Sequence, residues 1–272
     1  MRQVESIREA IASGAIYQAN LARRLEAPFT ADPWPLFRRL RAGDPALFAG
    51  YLDLGPTATG APRAILSASP EPFLAVDGGG IVTADPIKGT RPRGDSRETD
   101  RALLRELVAS TKDQAENVMI ADVLRNDLGR VCEPGSVRVP RLLRPERTAT
   151  VQHLVTTVAG RLRADRDALD LLAAAFPGGS ITGAPKIRAM EVIESLEPVR
   201  RGPYCGAMVW LGPDRRMGSS ILIRTLVADG SRLTFHVGGG ITWRSDAEAE
   251  WQETVAKARG PLRAIGARET DR

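Results

Sequence analysis

The chain has 272 residues, 43% hydrophobic and 26% charged, with a formal net charge of +5. That length can bury a sizeable core, and the ordinary composition excludes a disordered or fibrous chain. Acids and bases alternate along most of the sequence, which favours a small anionic ligand over nucleic acid.

Two cysteines without metal-ligand spacing exclude a disulfide framework, and two histidines exclude a His-rich metal site. The cysteine usage points to a reduced, cytoplasmic setting. No apolar stretch approaches a membrane span, and the opening MRQVESIREAIASG lacks a signal-peptide core, so no membrane partner is expected.

Val4, Ile7 and Ile11 recur at helical spacing and Gly14 supplies a stop, so the chain opens with a helix. AIYQANLARRL reads as a strand. Asp32 followed by Pro33 caps and opens a helix over WPLFRRLRAG. From about residue 46 to 85, ALFAGYLDL, RAILSASP, PFLAVDGGG and IVTADPI are short strands divided by Gly and Pro, expected as antiparallel hairpins. SRETDRALLRELVAS and TKDQAENVMIADVLRNDLGR are helical by period. Strands return at SVRVPRLLR and at TVQHLVTTVAGRL, residues 150–162.

RDALDLLAAAF is a helix, PGGSITGAPK a Gly-rich turn, and a further helix runs to about Leu196. GPYCGAMVWLG, MGSSILIRTLVAD and RLTFHVGG read as three more strands. A closing helix over SDAEAEWQETVAKARGPLRAIG takes Ser245 or Asp246 as its cap. Antiparallel runs with helices between them define an α+β class, with no repeat and no linker, so one domain over residues 1–272 is expected. The pairs Arg23-Arg24 and Arg38-Arg39 read as solvated faces.

Five constellations can carry chemistry. Asp113 and Glu116 share a helix face, as do Glu250 and Glu253, and two such pairs together offer hard oxygen ligands for Mg²⁺; charged helix faces are the plainer reading. The run FPGGSITGAPK leads into a helix opened by Pro185, and Ser180, Thr182 and Lys186 crowd a start whose amides suit an anion; glycine needed only for a tight turn is the alternative.

In VGGGI, Gly238, Gly239 and Gly240 follow a strand and let backbone approach a ligand, or form an irregular turn. Alternation in SSILIRTLV places Arg224 among apolar neighbours, where it needs a carboxylate or a bound anion. Glu71 and Lys88 are separated by a hairpin that can return them to one pocket as general acid and nucleophile. Lys88 can equally be a solvated loop charge, and His153 a core histidine.

Taken in order, SPEPF, PIKGTRPRG, AENVMIADVLRNDLGRV, VQHLV, FPGGSITGAPKIRAMEVIESLEP, GAMVWLG, ILIRT, GGGI and EAEWQET resemble the chorismate-utilising enzymes. That family includes the large subunits of anthranilate synthase and aminodeoxychorismate synthase, and the isochorismate and salicylate synthases. The resemblance covers about residues 4–260. It implies an α+β fold of two facing antiparallel β-sheets with helices outside, and a Mg²⁺-dependent reaction on chorismate.

Residue by residue, Glu116 and Glu253 resemble the metal ligands and Asp113 and Glu250 their supporting acids. Arg224 is similar to the clamp on the enolpyruvyl carboxylate, with the backbone of Gly238, Gly239 and Gly240 nearby. Ser180 and Gly183 resemble the ring-carboxylate site, His153 lines the ring, and Glu71 resembles the acid that protonates the departing 4-hydroxyl. Trp210 stands where the family has a tyrosine; its indole N–H can donate but not accept.

Two positions select the branch. Gln18 stands where the water-using branches carry a lysine base. PIKGT replaces the PIAGT of anthranilate synthases, and its lysine resembles that of aminodeoxychorismate synthase, where it is thought to attack C2 before ammonia adds at C4. The resemblance thus implies ammonia as co-substrate and a glutamine amidotransferase partner. Anthranilate synthesis with pyruvate release, and a truncated non-catalytic chorismate-binding subunit, stand as alternatives. The match begins past a long N-terminal segment of the family, so tryptophan feedback is not expected.

Overall fold

The computed structural model describes residues 1–43, 45–148 and 151–268. In chain order the elements are α1 (Arg2–Ala12), β1 (Gln18–Pro28), α2 (Pro33–Gly43), β2 (Phe48–Asp53), β3 (Arg63–Ser69), β4 (Pro72–Val76), β5 (Ile81–Ala84) and β6 (Ile87–Pro92). There follow α3 (Arg97–Ala109), α4 (Thr111–Gly129), β7 (Arg138–Arg147), β8 (Val151–Arg161), α5 (Ala168–Ala175), α6 (Gly179–Thr182), β9 (Gly183–Ala184) and α7 (Lys186–Leu196). The last are β10 (Ala207–Leu211), β11 (Met217–Ile221), β12 (Thr225–Asp229), β13 (Arg232–Ile241) and α8 (Ala247–Ile265). Thr150, expected to open the β8 strand, lies outside the described residues.

Two antiparallel sheets with helices form the fold, as the sequence predicts. One runs β2-β3-β12-β13-β1-β9; the other runs β10-β11-β4-β5-β8-β6, with β7 also on β8. The chain divides into two compact units, residues 1–71, 181–208 and 220–272 in one and residues 72–180 and 209–219 in the other.

In the first unit, alternate residues of three strands face the helices: Ala64, Leu66 and Ala68; Leu226 and Ala228; Leu233, Phe235 and Val237. Period two puts them on one face, where α2 lays Leu36, Phe37 and Leu40 and α8 lays Ala258 and Ala264. Burying each of the three large α2 side chains contributes roughly 2 kcal/mol. Beside this core, α1 and α7 pack Val4, Ile7, Ala189 and Ile193 against Ala19 and Ile241.

Helix starts follow the capping chemistry. Asp32 Oδ1 accepts from the Trp34 N–H at 2.9 Å before Pro33 opens α2. Asp246 caps α8 through the Ala249 N–H, and Gly266 ends it in the left-handed region at φ 71°. In the second unit Ser110 caps α4 by accepting from the Asp113 N–H.

Four sequence expectations are corrected. MGSSILIRTLVAD is not one strand: β11 and β12 belong to different sheets, and Arg224 sits in the turn between them with φ 49°. The left-handed backbone breaks the alternation, so Arg224 is exposed instead of enclosed by apolar neighbours. Gly238, Gly239 and Gly240 are not a turn after a strand; they lie within β13, paired to Ala22, Leu21 and Asn20 of β1. PGGSITGAPK is more than a turn, since it holds the single helical turn α6 and the short strand β9. The Arg23 guanidinium is not a solvated charge: it stacks 4.3 Å over the Trp251 ring, and its Nε donates to Thr254.

Candidate functional site

The lysine of PIKGT is held by a bulge. In the β6–β8 pairing, Lys88 opposes Leu154 and Thr90 opposes the next residue, His153, so Gly89 is the extra residue. Gly89 has φ 78°, and a Cβ there would come within 2.8 Å of Asp113 Cβ and 2.9 Å of Leu107 Cδ1. Only glycine lets the loop lie this close to α3 and α4. Lys88 Nζ donates to the Ser180 carbonyl oxygen at 3.3 Å. Thr90 Oγ1 and His153 Nδ1 share a hydrogen bond of 2.9 Å.

The rest of the loop is pinned by arginines that the sequence reading left unassigned. Arg91 donates to Glu106 at 2.7 Å and to Asp113 Oδ2 at 3.3 Å. Arg93 donates to Asp100 and to the Thr148 carbonyl, both at 2.7 Å. The GTRPRG spacing alone could not say which acids these arginines meet, because Asp100, Glu106 and Asp113 lie on later helices.

Asp113 and Glu116 share the start of α4, as expected. The next residue, Asn117, is fully buried; its Nδ2 donates to the Leu154 carbonyl at 3.0 Å, and its Oδ1 accepts from the Thr156 hydroxyl. That anchor holds this turn of α4 against β8. Lys112 Nζ lies 3.9 Å from Glu116 Oε1.

The second acid pair sits on α8 against the glycine run of β13. A Cβ on Gly239 would lie 3.2 Å from Glu250 Oε2 and 3.5 Å from Glu253 Oε1, so the missing side chain leaves both carboxylates room. Glu250 Oε1 accepts from Ser245 Oγ at 2.7 Å. Lys257 Nζ pairs with Glu253 Oε1 at 2.6 Å and donates to the Gly238 carbonyl at 2.7 Å. Lys257 is a site residue that the sequence reading missed; its i+4 spacing from Glu253 was the available signal.

Among the described residues, no three His, Cys, Asp or Glu side chains gather to hold a metal. Each acid pair by itself is a two-carboxylate donor set. The cradle at Gly239, lined by carboxylate oxygens, fits a hard cation such as Mg²⁺, which takes one or two carboxylates and keeps its waters.

Gln18 is fully buried, and among the described residues neither its amide nitrogen nor its amide oxygen has a hydrogen-bond partner. Its Nε2 occupies the space a Cβ on Gly240 would fill. Leaving a buried amide unmet costs about 1–3 kcal/mol. A cavity of about 360 Å³ in the first unit is lined by Leu21, Arg23, His236, Gly239, Glu250 and Trp251, among others. Of the expected site residues only Gly239 and Glu250 line it.

The remaining expected residues are placed as follows. Glu71 stands between β3 and β4, and its carbonyl accepts from the Ile221 N–H at 3.1 Å. Ser180 and Gly183 are buried, and Lys186 is the first residue of α7. Trp210 is 57% exposed on β10. Arg224 holds its turn through its carbonyl, which accepts from the Ala68 N–H at 3.1 Å.

Comparison with known proteins agrees with these elements. The family model described as chorismate binding enzyme matches residues 1–263. Aminodeoxychorismate synthase component 1 of Salmonella typhimurium is 48% identical over 245 residues, covering 90% of this chain and 52% of that protein. Anthranilate synthase component 1 of Streptomyces coelicolor is 46% identical over 263 residues, covering 97% of this chain and 50% of that protein. The crystal structure of anthranilate synthase component I from Streptococcus pneumoniae superposes with a TM-score of 0.84 at 37% identity, over 94% of this chain and 55% of that one.

The fold and the ordered motifs are those of the matched family. The chain belongs to the chorismate binding enzyme family. It spans about half the length of the relatives it matches.

Proposed function

We propose that this chain is the chorismate-aminating component of an aminodeoxychorismate synthase, using ammonia from a glutamine amidotransferase partner. The observation that carries this reading is Lys88: the family's PIAGT alanine is here a lysine, set in a glycine bulge and tethered to the Ser180 carbonyl. Gln18 supports it, because an amide cannot act as the base that activates water.

In this reading the Lys88 amine attacks C2 of chorismate, both ring double bonds shift, and the 4-hydroxyl leaves as water with a proton from Glu71. Ammonia then attacks C4, the double bonds shift back, the bond from C2 to Lys88 breaks, and the excess proton returns to Glu71. The sum is chorismate plus ammonia giving 4-amino-4-deoxychorismate and water. Arg224 and the amides near Ser180 and Gly183 hold the two carboxylates, and His153, oriented by Thr90, lines the ring.

Glu116 and Glu253 are the proposed Mg²⁺ ligands, supported by Asp113 and Glu250. Bound there, Mg²⁺ would neutralise substrate carboxylate charge.

Anthranilate synthesis is the second reading, favoured by the relatives that carry that name at 46% identity. One assay separates the two. Purified protein with chorismate, Mg²⁺ and ammonium should yield 4-amino-4-deoxychorismate, read as 4-aminobenzoate once a lyase is added. Anthranilate with pyruvate release would overturn the proposal. Absence of Mg²⁺-dependent chorismate binding by isothermal titration would instead favour a non-catalytic chain.

A further inference from the structure

The strand β9 is only two residues long. It pairs with β1 at Gly183 and Ala184, opposite Ala19 and Gln18. Gln18, Asn20 and Ala22 are alternate residues of β1, so their backbone polar groups face one edge. Beyond Ala19, no strand among the described residues pairs with that edge, and two side chains meet it instead. Glu197 Oε1 accepts from the Ala22 N–H at 2.8 Å. Arg201 Nη2 donates to the Asn20 carbonyl at 2.5 Å.

The same guanidinium donates through Nη1 to the Ile181 carbonyl at 3.0 Å. It grips Glu197 with two nitrogens, Nε to Oε2 at 2.8 Å and Nη2 to Oε1 at 2.6 Å. The pair is enclosed, with side chains 15% and 5% exposed. Gly183, two residues after Ile181, has φ 138°, and a Cβ there would run into the Gln18 carbonyl.

A buried ion pair is weak evidence for stability, because desolvation offsets much of the attraction. What this pair supplies is geometry. The planar guanidinium makes four hydrogen bonds at once, to two carbonyls and both oxygens of a carboxylate, one more than the three donors of a lysine allow. We propose that Arg201 and Glu197 are positioning residues. They stand in for the missing length of β9 and hold the Ile181–Gly183 backbone at the spacing that receives a substrate carboxylate.

The inference rests on the chorismate reading for the identity of the substrate, but the clamp itself is a property of the chain. It therefore has two readouts. In Arg201→Lys, the apparent KM for chorismate should rise about tenfold, as expected for loss of buried charge-assisted hydrogen bonds, with kcat within about threefold. The KM for ammonium should stay constant. Glu197→Gln, which keeps the shape, should move the chorismate KM in the same direction by less.

Hydrogen–deuterium exchange of the peptide over residues 181–185 should speed up in Arg201→Lys without any substrate present. A variant that loses kcat with KM unchanged has lost folded enzyme, not a positioned loop, and that result overturns the inference. Unchanged exchange in residues 181–185 overturns it as well. If the unaltered protein fails to turn over chorismate, the functional reading falls, and the exchange result still decides the clamp.

Discussion

Lys88 Nζ donates to the carbonyl oxygen of Ser180, 92 residues further along the chain, at 3.3 Å. The contact fixes where the amine points, on a strand that the Gly89 bulge holds. Lys88→Ala should lower amination by about a hundredfold or more, the scale of a positioned catalytic group. Lys88→Arg should be as inactive, since a guanidinium stays protonated. Steady-state turnover with ammonium checks both; unchanged rates would remove Lys88 from the mechanism.

Gly89→Ala tests the bulge. The new Cβ meets Asp113 and Leu107 while φ stays at 78°. A strained backbone of this kind costs about 1–3 kcal/mol, and urea unfolding should show an unfolding free energy lower by that amount, with an earlier midpoint. Because Asp113 is the atom group displaced, chorismate turnover should fall further than stability alone accounts for. Wild-type stability in this variant would mean that the loop can move off α4.

The Gly239 cradle predicts metal dependence. Glu253→Gln removes a charge next to Lys257 and should raise the Mg²⁺ needed for half-maximal activity by about tenfold or more, given that even outer-shell changes cost 10–100-fold in metal affinity. Glu116→Gln should behave alike. Isothermal titration of Mg²⁺ in the presence of chorismate measures it directly, and unaltered affinity in both variants would exclude these acids as ligands.

His236 makes stability depend on pH. Burial, followed by repulsion from Arg24 and Arg201, pulls its imidazole down to about 4, and it stacks on the Tyr204 ring at 5.0 Å. An ordinary histidine titrates near 6.5. As pH falls through the range between these values, the unfolded chain takes up a proton that the folded chain refuses, so stability drops. Melting temperature should fall from about pH 6.5 toward pH 4, and His236→Asn should flatten that part of the curve. An identical slope in the variant would assign the loss to other groups.

Much of the fold was legible because it rests on local chemistry. Asp32-Pro33 and Asp246 announce their helices by side-chain caps, and Gly and Pro mark the ends of the hairpin strands. The acid pairs were legible too, since residues three apart share a helix face. Arg224 was misread for the opposite reason: a strand pattern of apolar residues carries no mark of where the chain leaves one sheet for the other. Arg91, Lys257 and the Arg201–Glu197 pair were passed over because a charged side chain looks the same in sequence whether it meets water or a partner.

The sequence by itself determined the α+β class, most of the helices and strands, and the family, since nine motifs in order need no coordinates to be recognised. It also singled out Lys88 as the residue on which the proposed branch rests. Only the tertiary structure decided why the glycines are where they are: Gly89 admits α4, Gly239 admits two carboxylates, and Gly183 admits the Gln18 carbonyl. Caps and periodicities are set by residues a few positions apart. Close approaches are set by segments brought together from far along the chain, such as Ala22 and Glu197 at a separation of 175 residues.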